Sequence, residues 1–512
     1  MHDLSWTRPR KPVRTPLATV ASWLGSTVVD GSPGSWAEIE VTGLSLGSQR
    51  VVPGDLYAGL PGARTHGASY AGEAVDRGAV AMITDSTGAT LADRAVPVLV
   101  VDRPRAVLGD LAARIYGRPA DDLTLLAVTG TQGKTTTTRL AESGMQAAGI
   151  RAGVVGTVGT RIDGQDVKTS LTTPEAPDLH ALFAVMREHG VTTCAMEVSS
   201  HALVMGRVDG VVFDVAAFTN LGRDHLDFHA DVEDYFAAKA SLFTPQRARR
   251  GLVNIDDAHG RRLLDEATIP IRTYSTAGAG ADWQAVDVTL GPDGAAFGVR
   301  GPGGLSFDAR VPLAGDFNVS NALCAIAGAG EAGLDAAAVA AGIGAGAGVP
   351  GRFERVDAGQ NWLAIVDYAH KPDAVAAALR ALRAITAGRL IVVIGAGGDR
   401  DTGKRPLMGD IAARLADVLV VTDDNPRTER PADIRAEILA GIGVDADSGA
   451  TAEVHEVDGR RAAIALAVGM ARSGDTVLVA GKGHETGQEI GGVVHPFDDR
   501  DVVRELIARA TR

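Results

Sequence analysis

Short apolar runs, each followed by polar residues and then a helix-length stretch of mixed character, recur along most of this chain. Between residues 41 and 117, β-like runs at 52–57, 79–84 and 98–101 surround a helical pattern at 70–77, which predicts a small α/β domain. An apolar run at 123–128 precedes a helical pattern at 140–148, and further runs follow at 194–198 and 211–218. Runs without polar alternation suit strands covered on both faces, so this middle segment predicts a largely parallel sheet with helices on both sides. A glycine-rich passage at 291–304 reads as a hairpin region, and 342–351 as a Gly/Ala/Pro linker. Beyond it, strands at 363–367, 390–395, 418–422 and 476–480 alternate with helices, the pattern of a doubly wound sheet. Residues 1–25 read as a mobile arm leading into a helix at 17–24.

The fold class is therefore α/β in three domains. They are a small N-terminal α/β domain over 1–118, a central phosphate-loop domain with a parallel sheet over 119–348, and a C-terminal Rossmann-like domain over 349–512.

The chemistry gathers at strand ends. Gly130-Thr131-Gln132-Gly133-Lys134-Thr135-Thr136 stands between a strand and a helix. That arrangement aims backbone N–H groups and a helix N-terminus at a phosphate, with Lys134 as a point charge and the Thr135 hydroxyl for Mg²⁺. The spacing is shorter than the usual phosphate-loop pattern, and a chance strand–glycine–helix turn is the alternative. Glu197 and His225 each follow a strand's carboxyl end and could approach that Mg²⁺; taken singly, a cap residue and a core histidine would explain them. Lys239 lies in a helical pattern at 234–243 whose apolar side is Tyr235, Phe236 and Leu242, and it reads as a solvated helix lysine. Asn318 and Asn321 share one face of a helix start, where they can meet a base edge or serve as N-caps. Four polar strand ends mark the last domain: Asp367-Tyr-Ala-His370, Gly395-Ala-Gly-Gly-Asp-Arg400, Asp424-Asn425-Pro426-Arg427 and Gly481-Lys-Gly-His-Glu485.

Composition narrows the class. A formal charge of −13 argues against nucleic acid as the main partner. Two cysteines, Cys194 and Cys324, without metal-ligand spacing fit a reducing cytoplasm. The basic start (Arg8, Arg10, Lys11, Arg14) lacks the apolar stretch of a secretory signal, and no apolar run is long enough for membrane insertion. A monomer is expected.

Together with Thr172-Thr173-Pro174, Glu197-Val-Ser-Ser-His201, Asn220-Leu-Gly-Arg-Asp-His225, Tyr235-Phe-Ala-Ala-Lys239 and Gly351-Arg-Phe-Glu354, these motifs resemble the Mur ligase family. Those are ATP-dependent amide-forming enzymes of peptidoglycan synthesis, and the resemblance covers nearly the whole chain after residue 40. The order Asp424-Asn-Pro-Arg427 is most similar to the branch that adds diaminopimelate to a UDP-muramoyl-dipeptide. The resemblance implies that 130–136 hold ATP, that Glu197 and His225 serve Mg²⁺, and that Lys239 is carbamylated by CO₂ to an anion. It implies nucleotide contacts from Asn318, Asn321, Arg352 and Asp367. It places Ser48 at the uridine end of the substrate and Thr172, Thr173, Ser199 and Arg207 on its muramoyl-dipeptide. Arg400, Asp424, Asn425, Pro426, Arg427, Gly481 and Glu485 would form the site for the incoming amino acid.

Overall fold

The computed structural model describes residues 6–26, 28–29, 36, 38–92, 96–222, 224, 228–278, 280–443, 449 and 451–510. The chain divides into two compact units, one of residues 1–274 with 324–339 and the other of 275–323 with 340–512.

In the first unit, a small sheet has the strand order Val28–Val29, Val98–Val100, Ala81–Thr84, Asp55–Ala58, Gly43–Ser45, parallel except for its first pairing. Beside it lies a larger sheet whose strands from Ala152–Val155 through Thr193–Glu197, Thr124–Thr129, Phe213–Phe218 and Ala248–Asn254 to Ile271–Ser275 are all parallel. Thr160–Ile162 and Gln165–Val167 add an antiparallel edge. The strand Thr124–Thr129 is central, so its carboxyl end lies between those of Thr193–Glu197 and Phe213–Phe218. That is the edge at which open α/β sheets receive ligands.

The two sheets of this unit are joined by packing. The helix Pro104–Ile115 approaches 206–210 so closely that a Cβ on Gly109 would overlap the Asp209 backbone. Ala181 and Ala184 of the helix Ala176–Glu188 enter the small sheet's core beside Leu44, Leu108 and Leu111. Arg50 forms a two-pronged ion pair with Asp178, at 2.9 Å for each bond.

The N-terminal stretch corrects the mobile-arm expectation over its described part. Trp6 stacks on His189 at 4.3 Å, and the Arg10 and Lys11 amides donate to Glu188 at 2.8 and 2.7 Å. Arg8 is mostly buried, its side chain 12% exposed, and donates to Asp55 Oδ2 at 3.1 Å, to the Leu44 carbonyl at 3.1 Å and to the Tyr116 hydroxyl. The residues read as a mobile arm form a strap over their described part, in which Arg8 meets a buried carboxylate 47 positions away.

In the second unit, the strands Trp283–Gly291, Gly294–Arg300 and Ser306–Val311 form an antiparallel meander, so the glycine-rich passage contains two turns. The other sheet runs Glu354–Arg355, Leu363–Asp367, Thr476–Ala480, Leu390–Ile394, Val418–Val421, Glu453–Glu456, parallel after its first pairing. Apolar clusters cover both of its faces, which explains the unbroken apolar runs. The linker expectation needs correction: the helix Ala336–Ala345 runs through its first residues, with Ile343 buried.

Candidate active site

Glycine geometry shapes the phosphate loop. Gly130 has φ +144° and Gly133 φ +87°, and a Cβ on Gly130 would overlap the Thr219 hydroxyl. The helix Lys134–Ala147 starts directly after Gly133, so the Thr135 and Thr136 side chains belong to its first turn. The loop is tied to the end of Phe213–Phe218 mostly through its own backbone. The Gln132 amide donates to Asn220 Oδ1 at 2.9 Å, and the Thr219 hydroxyl donates to the Gln132 carbonyl at 2.7 Å. None of these bonds uses the Gln132 side chain.

Lys239 is not solvated. In the helix Val232–Ala240 it is 1% exposed, and its Nζ donates to the Gly130 carbonyl at 2.9 Å. Lys134 Nζ donates to the same oxygen at 2.8 Å, so two amines converge on one carbonyl. Lys239 Nζ also lies 4.4 Å from the centre of the Tyr235 ring, whose hydroxyl is 3.1 Å from Thr131 Oγ1. Helical periodicity does not reveal this, because the carbonyl that receives Lys239 lies 109 positions away.

Glu197, 1% exposed, ends its strand and accepts from the Thr157 amide at 2.8 Å and hydroxyl at 3.1 Å. Thr172 meets the same hydroxyl at 3.1 Å. The Thr173 hydroxyl donates to the Glu197 carbonyl at 2.8 Å and accepts from the Ser199 amide at 3.2 Å. Ser199 caps the helix Ser200–Val204, and Arg207 pairs with Glu175 at 2.9 Å. The structure thus brings Glu197, Thr172, Thr173, Ser199 and Arg207 together. His225 lies outside the described residues. Ser48 is in the small sheet's domain, donating to Glu73 at 2.6 Å.

The second unit holds the other candidates. Asn318 and Asn321 sit within the helix Asp316–Glu331 and are not caps: Asn318 Nδ2 donates to the Ala314 carbonyl at 2.7 Å, and Asn321 Nδ2 to Asn318 Oδ1 at 3.1 Å. The Arg352 guanidinium lies 4.2 Å over the Tyr368 ring. Asp367 accepts from the Phe353 and Ala369 amides at 2.9 Å each; burial pushes its carboxyl above the usual range, against the pull of Arg352 and these amides. His370 is pushed down to about 4 by burial, with Lys371 and Lys404 adding to the effect, and is neutral near pH 7.

Asn425 is the hub of the remaining cluster. Its Nδ2 donates to Glu485 at 2.9 Å, while its Oδ1 accepts from Lys482 Nζ at 3.0 Å. A Cβ on Gly481 would overlap Asp424 Oδ2, so the segments that follow Thr476–Ala480 and Val418–Val421 meet beyond the end of the strand Leu390–Ile394 that separates them. Arg427 has φ +54° and donates from Nη1 to the Gly398 carbonyl at 2.5 Å, with Nε 3.4 Å from Glu489. The Pro426 carbonyl accepts from the Glu429 amide at 3.1 Å, and Arg400 is exposed at the end of the adjacent loop.

Three segments of the chain match known domains: residues 40–116 the Mur ligase family catalytic domain, 128–329 the Mur ligase middle domain, and 351–483 the Mur ligase glutamate ligase domain. A UDP-N-acetylmuramoyl-L-alanyl-D-glutamate–2,6-diaminopimelate ligase of Streptomyces avermitilis is 56% identical over 98% of both chains. The chain belongs to the Mur ligase family. A ligase of the same name from Corynebacterium glutamicum is 51% identical over 92% of both chains. A solved structure of a UDP-N-acetylmuramoyl-L-alanyl-D-glutamate–2,6-diaminopimelate ligase aligns with a TM-score of 0.68 at 34% identity, covering 98% of this chain and 100% of that one.

As a Mur ligase the protein is an ATP-dependent enzyme of three α/β domains. Several of this Mur ligase's buried or half-buried polar residues escaped the motif reading. Lys482, fully buried, bridges Asn425 and Glu485. His229 lies 3.0 Å from both Ser200 Oγ and Asp234 Oδ2, joining two helices beside the phosphate loop. Glu175 binds Arg105 and Arg207 together. Only Lys482 carried a visible signal, its place inside the Gly481–Glu485 motif. Among the described residues no helix is long and apolar enough to cross a membrane, and no group of three His, Cys, Asp or Glu is placed to hold a metal.

Proposed function

We propose that this ligase joins meso-2,6-diaminopimelate to the terminal carboxylate of UDP-N-acetylmuramoyl-L-alanyl-D-glutamate, with ATP as driving substrate, in cytoplasmic synthesis of peptidoglycan precursors. The observation carrying the reading is the likeness, across 98% of both chains, to a ligase named for these two substrates. The proposed domains are 1–118 for the UDP-substrate, 119–348 for ATP and 349–512 for the amino acid.

A free carboxylate is a poor acyl donor, so the γ-phosphoryl group passes to it first: the bond to the ADP oxygen breaks and an acyl phosphate forms. The amides of 130–136 would cradle the β- and γ-phosphates, with Lys134 moving its charge onto them. Ser48 would hold the uridine end, while Thr172, Thr173, Ser199 and Arg207 would orient the muramoyl-dipeptide. The oxygen donors Thr135 and Glu197 suit Mg²⁺, because each oxygen of the Glu197 carboxylate keeps a lone pair beyond its bond to Thr157. Lys239 as a carbamate and His225 would complete that set. When bound, the ion neutralises charge on the transferring group. The convergence of Lys134 and Lys239 on one carbonyl supports the carbamate: the Lys239 ammonium releases a proton, its free amine adds to CO₂ and a second proton leaves the nitrogen, so one of two crowded cations becomes an anion.

In the second unit Asn318 and Asn321 would meet the adenine edge, with Arg352 and Asp367 on the rest of the nucleotide. The diaminopimelate amine then attacks the acyl carbon, phosphate leaves, and the nitrogen loses a proton. Arg400, Asp424, Asn425, Pro426, Arg427, Gly481 and Glu485 would hold that amino acid. Arg427 would take the far carboxylate, which competes with its long contact to Glu489.

Phosphate release tests the reading. It should require the UDP-dipeptide and diaminopimelate together, with lysine disfavoured by roughly 10⁴-fold in kcat/KM because Arg427 would lack its partner. Equal rates with lysine refute the assignment, and phosphate release without an amino acid refutes ligation.

A further inference from the structure

Arg405 is fully buried yet belongs to none of the motifs that point at a substrate. It is the second residue of the helix Lys404–Leu415. Its Nη1 donates to Glu429 Oε2 and to Glu437 Oε2, both at 2.9 Å. Its Nη2 donates to Glu429 Oε1 at 2.9 Å and to the Gly397 carbonyl at 3.1 Å. Burying a guanidinium is costly unless its donors are met; here Nη1 and Nη2 make the four bonds while Nε is buried without a hydrogen bond, and the planar fork lets one side chain reach three acceptors.

Two of those acceptors, Gly397 and Glu429, lie in the two loops that carry the candidate amino-acid site, and the third, Glu437, belongs to the helix Pro431–Leu439 that follows the second loop. Gly397 belongs to the loop that ends in Arg400, and Glu429 follows Arg427 by two residues. Glu429 Oε1 also accepts from the Asp399 amide at 2.5 Å. Asp399 answers by accepting from the Thr428 hydroxyl at 2.8 Å and amide at 3.1 Å. Asp399 and Arg427 both have φ +54°, a left-handed backbone that non-glycine residues hold only when their surroundings impose it. The cross-ties through Glu429 and Asp399 are that imposition.

We propose that Arg405 and Glu429 are positioning residues that set the enzyme's choice of amino acid: as a buried clamp they hold the loops bearing Arg400 and Arg427 in the one geometry that accepts a second carboxylate. The inference rests on the reading of Arg427 given above. Neither clamp residue touches the substrate. Each acts through Arg427, whose Nη1 bond to the Gly398 carbonyl depends on where the neighbouring loop is held.

Glu429→Gln is the test, because it keeps the size of the side chain while setting an NH₂ donor against the donors of Arg405 and Asp399. The expected result is a rise of about tenfold or more in KM for diaminopimelate and a similar fall in the diaminopimelate-to-lysine ratio of kcat/KM. KM for ATP and for the UDP-dipeptide should stay within about twofold of the parent. Should Glu429→Gln fail to fold, Thr428→Val reads the same cross-tie at an exposed position, since it removes only the hydroxyl bond to Asp399. Arg427→Ala, run alongside, separates the two ideas. If it loses discrimination while neither Glu429→Gln nor Thr428→Val does, the clamp is overturned and the Arg427 reading stands. If Arg427→Ala keeps full discrimination, the reading itself fails. A uniform fall in kcat with no KM split marks a purely structural role and overturns the proposal.

Discussion

Replacing Arg8 by alanine should destabilise the first unit well beyond an ordinary surface substitution. Asp55 is 1% exposed at its side chain, and without Arg8 its remaining bond is from the Val52 amide at 3.1 Å. Removing one partner of a buried ion pair costs about 3–5 kcal/mol, because the other charge is left uncompensated. At the smaller end of the usual scale for large domains, about 2 °C per kcal/mol, the transition of this unit should fall by about 6–10 °C near pH 7.5. The deficit also has a pH signature. Burial already holds the Asp55 carboxyl above its ordinary value against the pull of Arg8, and losing Arg8 raises it further. Between the unfolded value, about 3.9, and the folded one, the folded state keeps a proton that the unfolded state has lost, so stability falls as pH rises. The gap to the parent should be widest at neutral pH and should narrow on acidification. Arg8→Met combined with Asp55→Asn should recover more than half of the loss, since no charge is then stranded. Thermal unfolding across pH 5 to 8 measures all of this. A shift under about 2 °C, or a gap that widens in acid, refutes the reasoning.

Lys134→Ala should lower kcat by at least about a hundredfold with the melting profile intact, and turnover within tenfold of the parent would contradict its place at the phosphates. Lys239→Ala should be nearly inactive and regain activity with added short carboxylic acids; alanine at full activity, with a bare amine found by mass in the parent, would falsify the carbamate. Gly130→Ala must displace Thr219 and adopt a backbone that alanine resists, so ATP should lose its stabilising effect in thermal melts, at a fold penalty of about 1–3 kcal/mol.

How far the sequence could be read depended on where each residue's partners lie. The strands Leu363–Asp367 and Thr476–Ala480 match their apolar runs end to end, because both faces are covered and no polar alternation blurs them. The helix after the phosphate loop begins at Lys134, not 140, because Thr137, Thr138 and Arg139 are polar in type yet buried, which hides the helical period. Motif residues such as Gly130 and Asn425 were visible through their local order. Lys239 was visible through its motif but not through periodicity, and Arg8 and Arg405 were not visible at all, since each is defined by acceptors distant in sequence or by a network of several elements. The antiparallel edge Thr160–Ile162 and Gln165–Val167 also went unread, its strands being three residues each.

The close seat of Gly109 against Asp209, with Ala181 and Ala184 driven into the small sheet's core, has a metric consequence. A joint this tight behaves as a fixed ruler between the Ser48 surface and the phosphate loop. If the uridine is held at Ser48 as proposed, the substrate presents its terminal carboxylate at the other mark only if the intervening peptide has the right span. One residue more or fewer moves that carboxylate by about 3.5 Å, further than a near-attack geometry tolerates. Order of addition in the growing peptide would then be enforced by length, before any side chain is inspected.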